Sequence, residues 1–264
     1  MSLAEALLDL QELTRQLRRE CPWDREQTAV TIVPHTVEEA YEVADAALAD
    51  DAEALHGELG DLLFQVYFLS LLLEERGEGD LESVARAVHA KLVRRHPHVF
   101  GDADARTAGR VRERWEALKS EQEGREGIFH DVPEALPALL QSRKVQRRAA
   151  VVGYDWLDLA GPLAKLREEL AELEVASARA GEPAPETEPD HDVFHELGDV
   201  LFTVVNVARR LNVDPELALR ATTRRFTARV ETAAGLAESE GVDWRSLDLD
   251  AQDAYYERAK EALA

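Results

Sequence analysis

The chain has 264 residues, enough for one large domain or two small ones, and its 31 Lys and Arg against 53 Asp and Glu give a formal charge of −22. That balance argues against free DNA or RNA as a partner, because phosphate backbones are gripped by basic surfaces. A hydrophobic fraction of 45% argues against a disordered chain, and the single cysteine, Cys21, excludes an intrachain disulfide or a Cys-rich zinc site and fits a reducing cytoplasmic setting.

The N-terminal stretch MSLAEALLDLQELTRQLRRE mixes acids and bases at helical spacing and lacks the three regions of a signal peptide. Leu59, Leu62, Leu63 and Val66 recur at i, i+3, i+4 and i+7, the period of a helix face. The most apolar run, Leu62 to Leu73, covers 12 residues and includes Gln65 and Ser70. It falls short of the roughly 20 residues that cross a bilayer and predicts a buried helix, with no membrane partner. Between Ser120 and Pro137 the breakers Gly124, Gly127, Pro133 and Pro137 cluster, dividing the chain into residues 1–120, a linker over 121–135, and residues 136–264. Helical spacing resumes at Leu163, Leu166, Leu170 and Leu173, and again at Leu197, Val200, Leu201 and Val204, with a proline-bearing loop from Gly181 to Asp192 between them. Alternating β-branched runs are scarce, so the expected class is all-α.

The two halves repeat one another. Glu38-Glu39-Ala40-Tyr41-Glu42 precedes Glu58-Leu59-Gly60-Asp61 by 15 residues, and Glu168-Glu169-Leu170-Ala171-Glu172 precedes Glu196-Leu197-Gly198-Asp199 by 23. Lys91 and Arg95 correspond to Arg225 and Arg229, and Trp115 with Lys119 to Tyr256 with Lys260. With the apolar runs LLFQV and VLFTV that follow each ELGD, five matching features in one order indicate a tandem duplication, each half a helical bundle.

Residues at i and i+3 share a helix face, so Glu39 with Glu42 and Glu58 with Asp61 converge if their helices are antiparallel. Glu169, Glu172, Glu196 and Asp199 repeat the set. Converging carboxylates repel, and the natural counter-charge is a hard divalent cation, Mg²⁺ with Mn²⁺ as a substitute. Solvated acidic faces are the commoner meaning of one such pair in an acidic chain, but here the whole quartet recurs and abuts an apolar helix. A di-iron bundle would need Glu-x-x-His, which neither half supplies. A cation beside Lys165, Arg225, Arg229 and Lys260 suits a polyphosphate, and Tyr256 or Trp115 can stack on a base.

The stretches CPWDREQT, PHTVEEAYE, KLVRRHPHVFG, VGYDW, and EELAE followed by ELGDVLFTVVNVAR resemble, together and in order, tandem MazG-type nucleoside triphosphate pyrophosphohydrolases. The resemblance implies an α-helical homodimer that cleaves NTPs and dNTPs, ATP among them, to monophosphate and pyrophosphate with Mg²⁺, and it places catalysis in the C-terminal repeat. By the same resemblance Glu169, Glu172, Glu196 and Asp199 are metal ligands. Nucleotide contacts would be Lys165, Leu166, Arg167, Glu168, Glu169, Asp192, Val193, Phe194, His195, Arg225, Phe226, Arg229 and Tyr256. Arg225 stands where the family pattern has Lys, and Tyr256 where it has Trp.

The residues themselves also favour the second half. Lys165 and Asn206, both suited to phosphate or sugar, have His35 and Phe68 as their counterparts in the first half. The N-terminal set is then a weaker site or a dimerisation and regulatory unit. Glu168, outside the ligand set, is the candidate to orient or deprotonate water. Three readings follow: a broad pyrophosphohydrolase in nucleotide-pool cleaning or alarmone control, a narrower dUTPase-like enzyme, and a nucleotide-sensing module without turnover.

Overall fold

The structure, a computed structural model, describes residues 2–101, 127–130, 132–181 and 188–263. Among them every regular element is helical, and the chain divides into two compact units, Met1–Glu123 and Gly124–Ala264. Trp115 and Lys119 lie outside the described residues.

In the first unit, α1 (Leu3–Glu20) opens on a capping box between Ser2 and Glu5, which satisfies otherwise orphaned N-terminal amides. A short α2 (Pro22–Glu26) leads to α3 (Ala29–Leu48), capped by Thr28, and α4 (Ala52–Glu75), capped by Asp51. Only three residues join α3 to α4, and Asp50 takes a left-handed turn there with φ of 54°. The two helices therefore fold back on one another. Ile32 of α3 packs with Phe68 and Leu72 of α4 to form the core, and the Thr36 hydroxyl donates to Gln65 Oε1 at 3.3 Å across the same interface. Helices α5 (Leu81–Arg95) and α6 (Pro97–Phe100) follow, with α5 against α4.

The second unit holds α7 (Ala138–Val151), α8 (Ala160–Ala180), α9 (His191–Arg210), α10 (Pro215–Ser239), a 3₁₀ turn (Trp244–Ser246) and α11 (Leu249–Ala262). Gly181, at φ of 73°, ends α8, and Asp190 caps α9 by accepting from the Asp192 and Val193 amides. Helix α9 lies between α8 and α7, and α10 pairs with α11. Gln146 of α7 donates to the Phe202 carbonyl of α9 at 2.8 Å, and Arg143 pairs with Asp214, the cap of α10. Small side chains let α10 and α11 approach closely: Ala233, Ala237 and Ala259 are all fully buried.

The apolar stripes divide differently from the expectation of a wholly buried helix. On α4 the buried face runs through Gln65, Phe68 and Leu72, whereas Leu59, Leu63 and Val66 face outward. Likewise α9 buries Val200, Thr203 and Asn206 while Leu197, Leu201 and Val204 are 43–50% exposed. These helices are apolar on more than one side, and a single unit covers only part of that surface.

Candidate functional site

Two clusters of carboxylates sit where paired helices meet. In the first unit, α3 supplies Glu39 and α4 supplies Glu58 and Asp61; in the second, α8 supplies Glu169 and α9 supplies Glu196 and Asp199. Within each trio one oxygen per residue lies within 4.8 Å of the others. Oxygens around a single Mg²⁺ at about 2.0–2.1 Å stand at most about 4.2 Å apart, so a small side-chain closure fits each trio to such an ion. Hard, all-oxygen donors match Mg²⁺ or Mn²⁺. Glu42 and Glu172 stand outside the trios, one helical turn along from Glu39 and Glu169.

The electrostatics record the crowding. Partial desolvation, followed by the charges of Asp61, Glu42 and Glu58, pushes the Glu39 carboxyl above the ordinary glutamate value. Glu172 is raised first by desolvation, then by its hydrogen bond to Glu169 and the charges of Glu169 and Glu196, with Lys165 opposing. Both are ordinary outcomes of carboxylates held close together.

The two clusters differ in their internal counter-charge. Lys165 Nζ lies 2.7 Å from Glu168 and 2.8 Å from Glu169, whose side chain is only 6% exposed. Hydrogen bonds to these two carboxylates, Glu168 first, raise the Lys165 ammonium well above the usual lysine value. At the equivalent place in the first unit His35 stands edge-on to Trp23 and approaches Glu38, at 3.8 Å.

Beside the second trio a cleft of about 510 Å³ opens between α8 and α9, bordered by Glu168, Glu172, Arg179, Asp192 and Glu196, with Val175 on its apolar wall. Arg179 was not among the residues expected from sequence, although its position seven residues after Glu172 places it on the same face. Leu166 is half-buried next to Lys165, and Arg167 points out and donates to the Leu163 carbonyl. Val193, Phe194 and His195 form the first turns of α9, where His195 lies against His191 with ring centroids 4.4 Å apart and planes tilted by 56°. Asn206 is buried, and its Oδ1 accepts from Arg209 Nη2 at 2.9 Å; it does not line the cleft.

The remaining expected nucleotide contacts occupy the α10–α11 pair. Phe226 and Tyr256 bring their rings to 6.0 Å, Arg225 donates to Thr222, and Lys260 pairs with Glu257. Arg229 is half-buried on the same helix as Phe226. The structure thus gathers the expected residues into a carboxylate set on α8–α9 and an aromatic and cationic set on α10–α11.

Comparison with known proteins decides the family. The chain is 37% identical over 263 residues to the nucleoside triphosphate pyrophosphohydrolase of Escherichia coli strain K12, covering 98% of both chains. The chain belongs to the MazG family. A second relative, the nucleoside triphosphate pyrophosphohydrolase/pyrophosphatase MazG of Thermotoga maritima, is 37% identical over 98% of this chain and 96% of its own. A Mycobacterium tuberculosis nucleoside triphosphate pyrophosphohydrolase is 32% identical over 56% of this chain and 46% of its own. The MazG nucleotide pyrophosphohydrolase domain itself matches residues 27–100, which carry α3 to α6 and the trio of Glu39, Glu58 and Asp61. MazG-type sequence is therefore recognised most directly in the first repeat, while full-length similarity extends it through the second.

Proposed function

We propose that the chain hydrolyses nucleoside triphosphates, both NTPs and dNTPs, to the monophosphate and pyrophosphate in a Mg²⁺-dependent reaction carried out by the second repeat. The observation that carries this reading is the trio of Glu169, Glu196 and Asp199 beside a lysine at the edge of a 510 Å³ cleft, in a chain similar along its whole length to named nucleoside triphosphate pyrophosphohydrolases. Glu169, Glu196 and Asp199 would hold the cation, with Glu172 completing the set. Bound there, Mg²⁺ supplies charge neutralisation for the triphosphate and a lowered pKa for the attacking water.

The chain's own groups account for the rest. Lys165 is held by two carboxylates, Glu168 and Glu169. Its transfer to a phosphate oxygen keeps the ammonium paired and releases Glu168. That side chain is 56% exposed and is free to orient or deprotonate the water. Arg225, Arg229 and Lys260 provide further charge for the phosphates, and the Phe226–Tyr256 pair provides an aromatic surface for the base. The outward stripes through Leu59, Leu63 and Val66 and through Leu197, Leu201 and Val204 support association as a homodimer, because apolar faces of this extent are ordinarily covered. No helix among the described residues is long and apolar enough to cross a membrane. The experiment is product identification by ³¹P NMR with Mg²⁺ and a panel of NTPs and dNTPs. Monophosphate and pyrophosphate are expected, and nucleoside diphosphate with orthophosphate would contradict the reading.

A further inference from the structure

Both carboxylate-bearing helix pairs are fastened by an arginine at the end away from their connecting turn. In the first unit Arg18 donates to the Asp24 and Gln27 carbonyls, on the segment entering α3, and pairs with Glu75 at the end of α4 through two 2.8 Å hydrogen bonds. In the second unit the same task falls to a different helix. Arg209, near the end of α9, holds Asp155, on the segment entering α8, by two hydrogen bonds of 2.5 and 3.1 Å. Arg210 adds a bond to the Leu157 carbonyl at 3.0 Å. The Arg209 and Asp155 side chains are only 10% and 19% exposed. Asp155 also accepts the Trp156 amide at 2.9 Å. The Trp156 indole lies so closely over Gly161, in the first turn of α8, that a Cβ at that glycine would overlap the ring.

The geometry points to a positioning role: we infer that the Asp155–Arg209 pair, with the Trp156 indole seated on Gly161, sets the register of α8 against α9. That register fixes the spacing of Glu169 from Glu196 and Asp199. This rests on the proposed role of those carboxylates as cation ligands. Gly161 precedes Glu169 by eight residues and Arg209 follows Asp199 by ten, so the fastening acts through about 12–15 Å of helix at 1.5 Å per residue. Unit one has a three-residue turn to fix its helix pair, whereas ten residues, 181–190, separate α8 from α9 in sequence, and a longer loop constrains its ends less. The Arg209–Asp155 contact closes the opposite end.

Mg²⁺ demands near-ideal octahedral geometry at about 2.0–2.1 Å, whereas Ca²⁺ tolerates about 2.3–2.6 Å and variable coordination. A small slip of α8 therefore penalises Mg²⁺ more than Ca²⁺, which simple loss of fold stability does not do. The test uses the full chain as wild type, Asp155→Asn, Arg209→Lys and Trp156→Phe, with Mn²⁺ binding followed by EPR and Mg²⁺ and Ca²⁺ measured by competition. Glu169→Gln identifies which Mn²⁺ signal belongs to the trio. Asp155→Asn, and Arg209→Lys, which keeps the charge but loses the planar fork, are expected to weaken Mg²⁺ on the order of tenfold and Ca²⁺ much less. Trp156→Phe retains a ring over Gly161 and is expected to stay near wild type. Should Asp155→Asn not fold, Arg209→Lys alone decides. A wild-type Mg²⁺-to-Ca²⁺ ratio in folded variants, with only a lower melting temperature, would overturn the positioning role. Wild-type protein without Glu169-dependent Mn²⁺ binding would overturn the cation reading itself, and this inference with it.

Discussion

Glu172 feels the repulsion within the second carboxylate cluster directly. Its carboxyl is raised above the ordinary value of 4.5 by desolvation, by its hydrogen bond to Glu169 and by the charges of Glu169 and Glu196. A carboxyl raised in the folded state destabilises that state when ionised, and the penalty disappears as pH falls below the unfolded value. Metal-free Glu172→Gln is therefore expected to melt above the wild type at neutral pH in a chelator, with the difference closing as the pH approaches 4.5. Equal melting temperatures at neutral pH would show that the cluster is already relaxed. Lys165 moderates the same repulsion, and its pairing with Glu169 supplies the counter-charge that a nearly buried carboxylate needs. At this scale the sequence was informative about which residue types converge. It did not show that Asn206 is engaged by Arg209, nor that Arg179 borders the cleft, because both depend on helix rotation.

Helices were legible from apolar spacing, but their ends were not: the caps at Ser2, Thr28, Asp51, Asp80, Asp190, Asp214 and Asp248, which all accept amides at helix starts, emerge only in the structure. Which side of an element is buried was harder to read. Leu59, Leu63 and Val66 share a helical period with the core, yet the core itself runs through Gln65, Phe68 and Leu72. When a helix is apolar on several sides, its period identifies a helix but not the face that packs inside its own unit. Phe68, wholly buried against Ile32 and Leu72, tests the assignment. Phe68→Ala is expected to cost about 3–5 kcal/mol in chemical denaturation, whereas Leu63→Ala, on the outward stripe, should cost far less in the monomer. The Asp155–Arg209 fastening is also an element-scale feature, and nothing in a one-dimensional pattern joins residues 54 positions apart.

Taken whole, the chain is a duplication whose copies have diverged where chemistry would be felt. Both keep a converging trio, but among the described residues only the second sets a lysine on it; the first has His35 turned toward Trp23 and Glu38. Phe68 fills the core of the first unit at the position where the second has Asn206. The duplication was visible in the sequence because the EExxE and ELGD stretches recur in order, and so was the asymmetry between the copies. The outward apolar stripes add an expectation at this scale. If the proposed homodimer forms through this stripe, Leu201→Glu, on the exposed face of α9, should shift the sedimenting species from dimer to monomer without unfolding the unit, and an unchanged sedimentation coefficient would remove the stripe from the proposed interface.

Pyrophosphate release from saturating nucleotide and Mg²⁺, compared in Glu172→Gln and Glu42→Gln side by side, decides whether the carboxylates of the second repeat perform the chemistry. Loss of at least about 100-fold in Glu172→Gln, the scale of removing a group that acts in the transition state, with Glu42→Gln near wild type, is the predicted result. Full activity in Glu172→Gln with loss in Glu42→Gln would move the reaction to the first repeat.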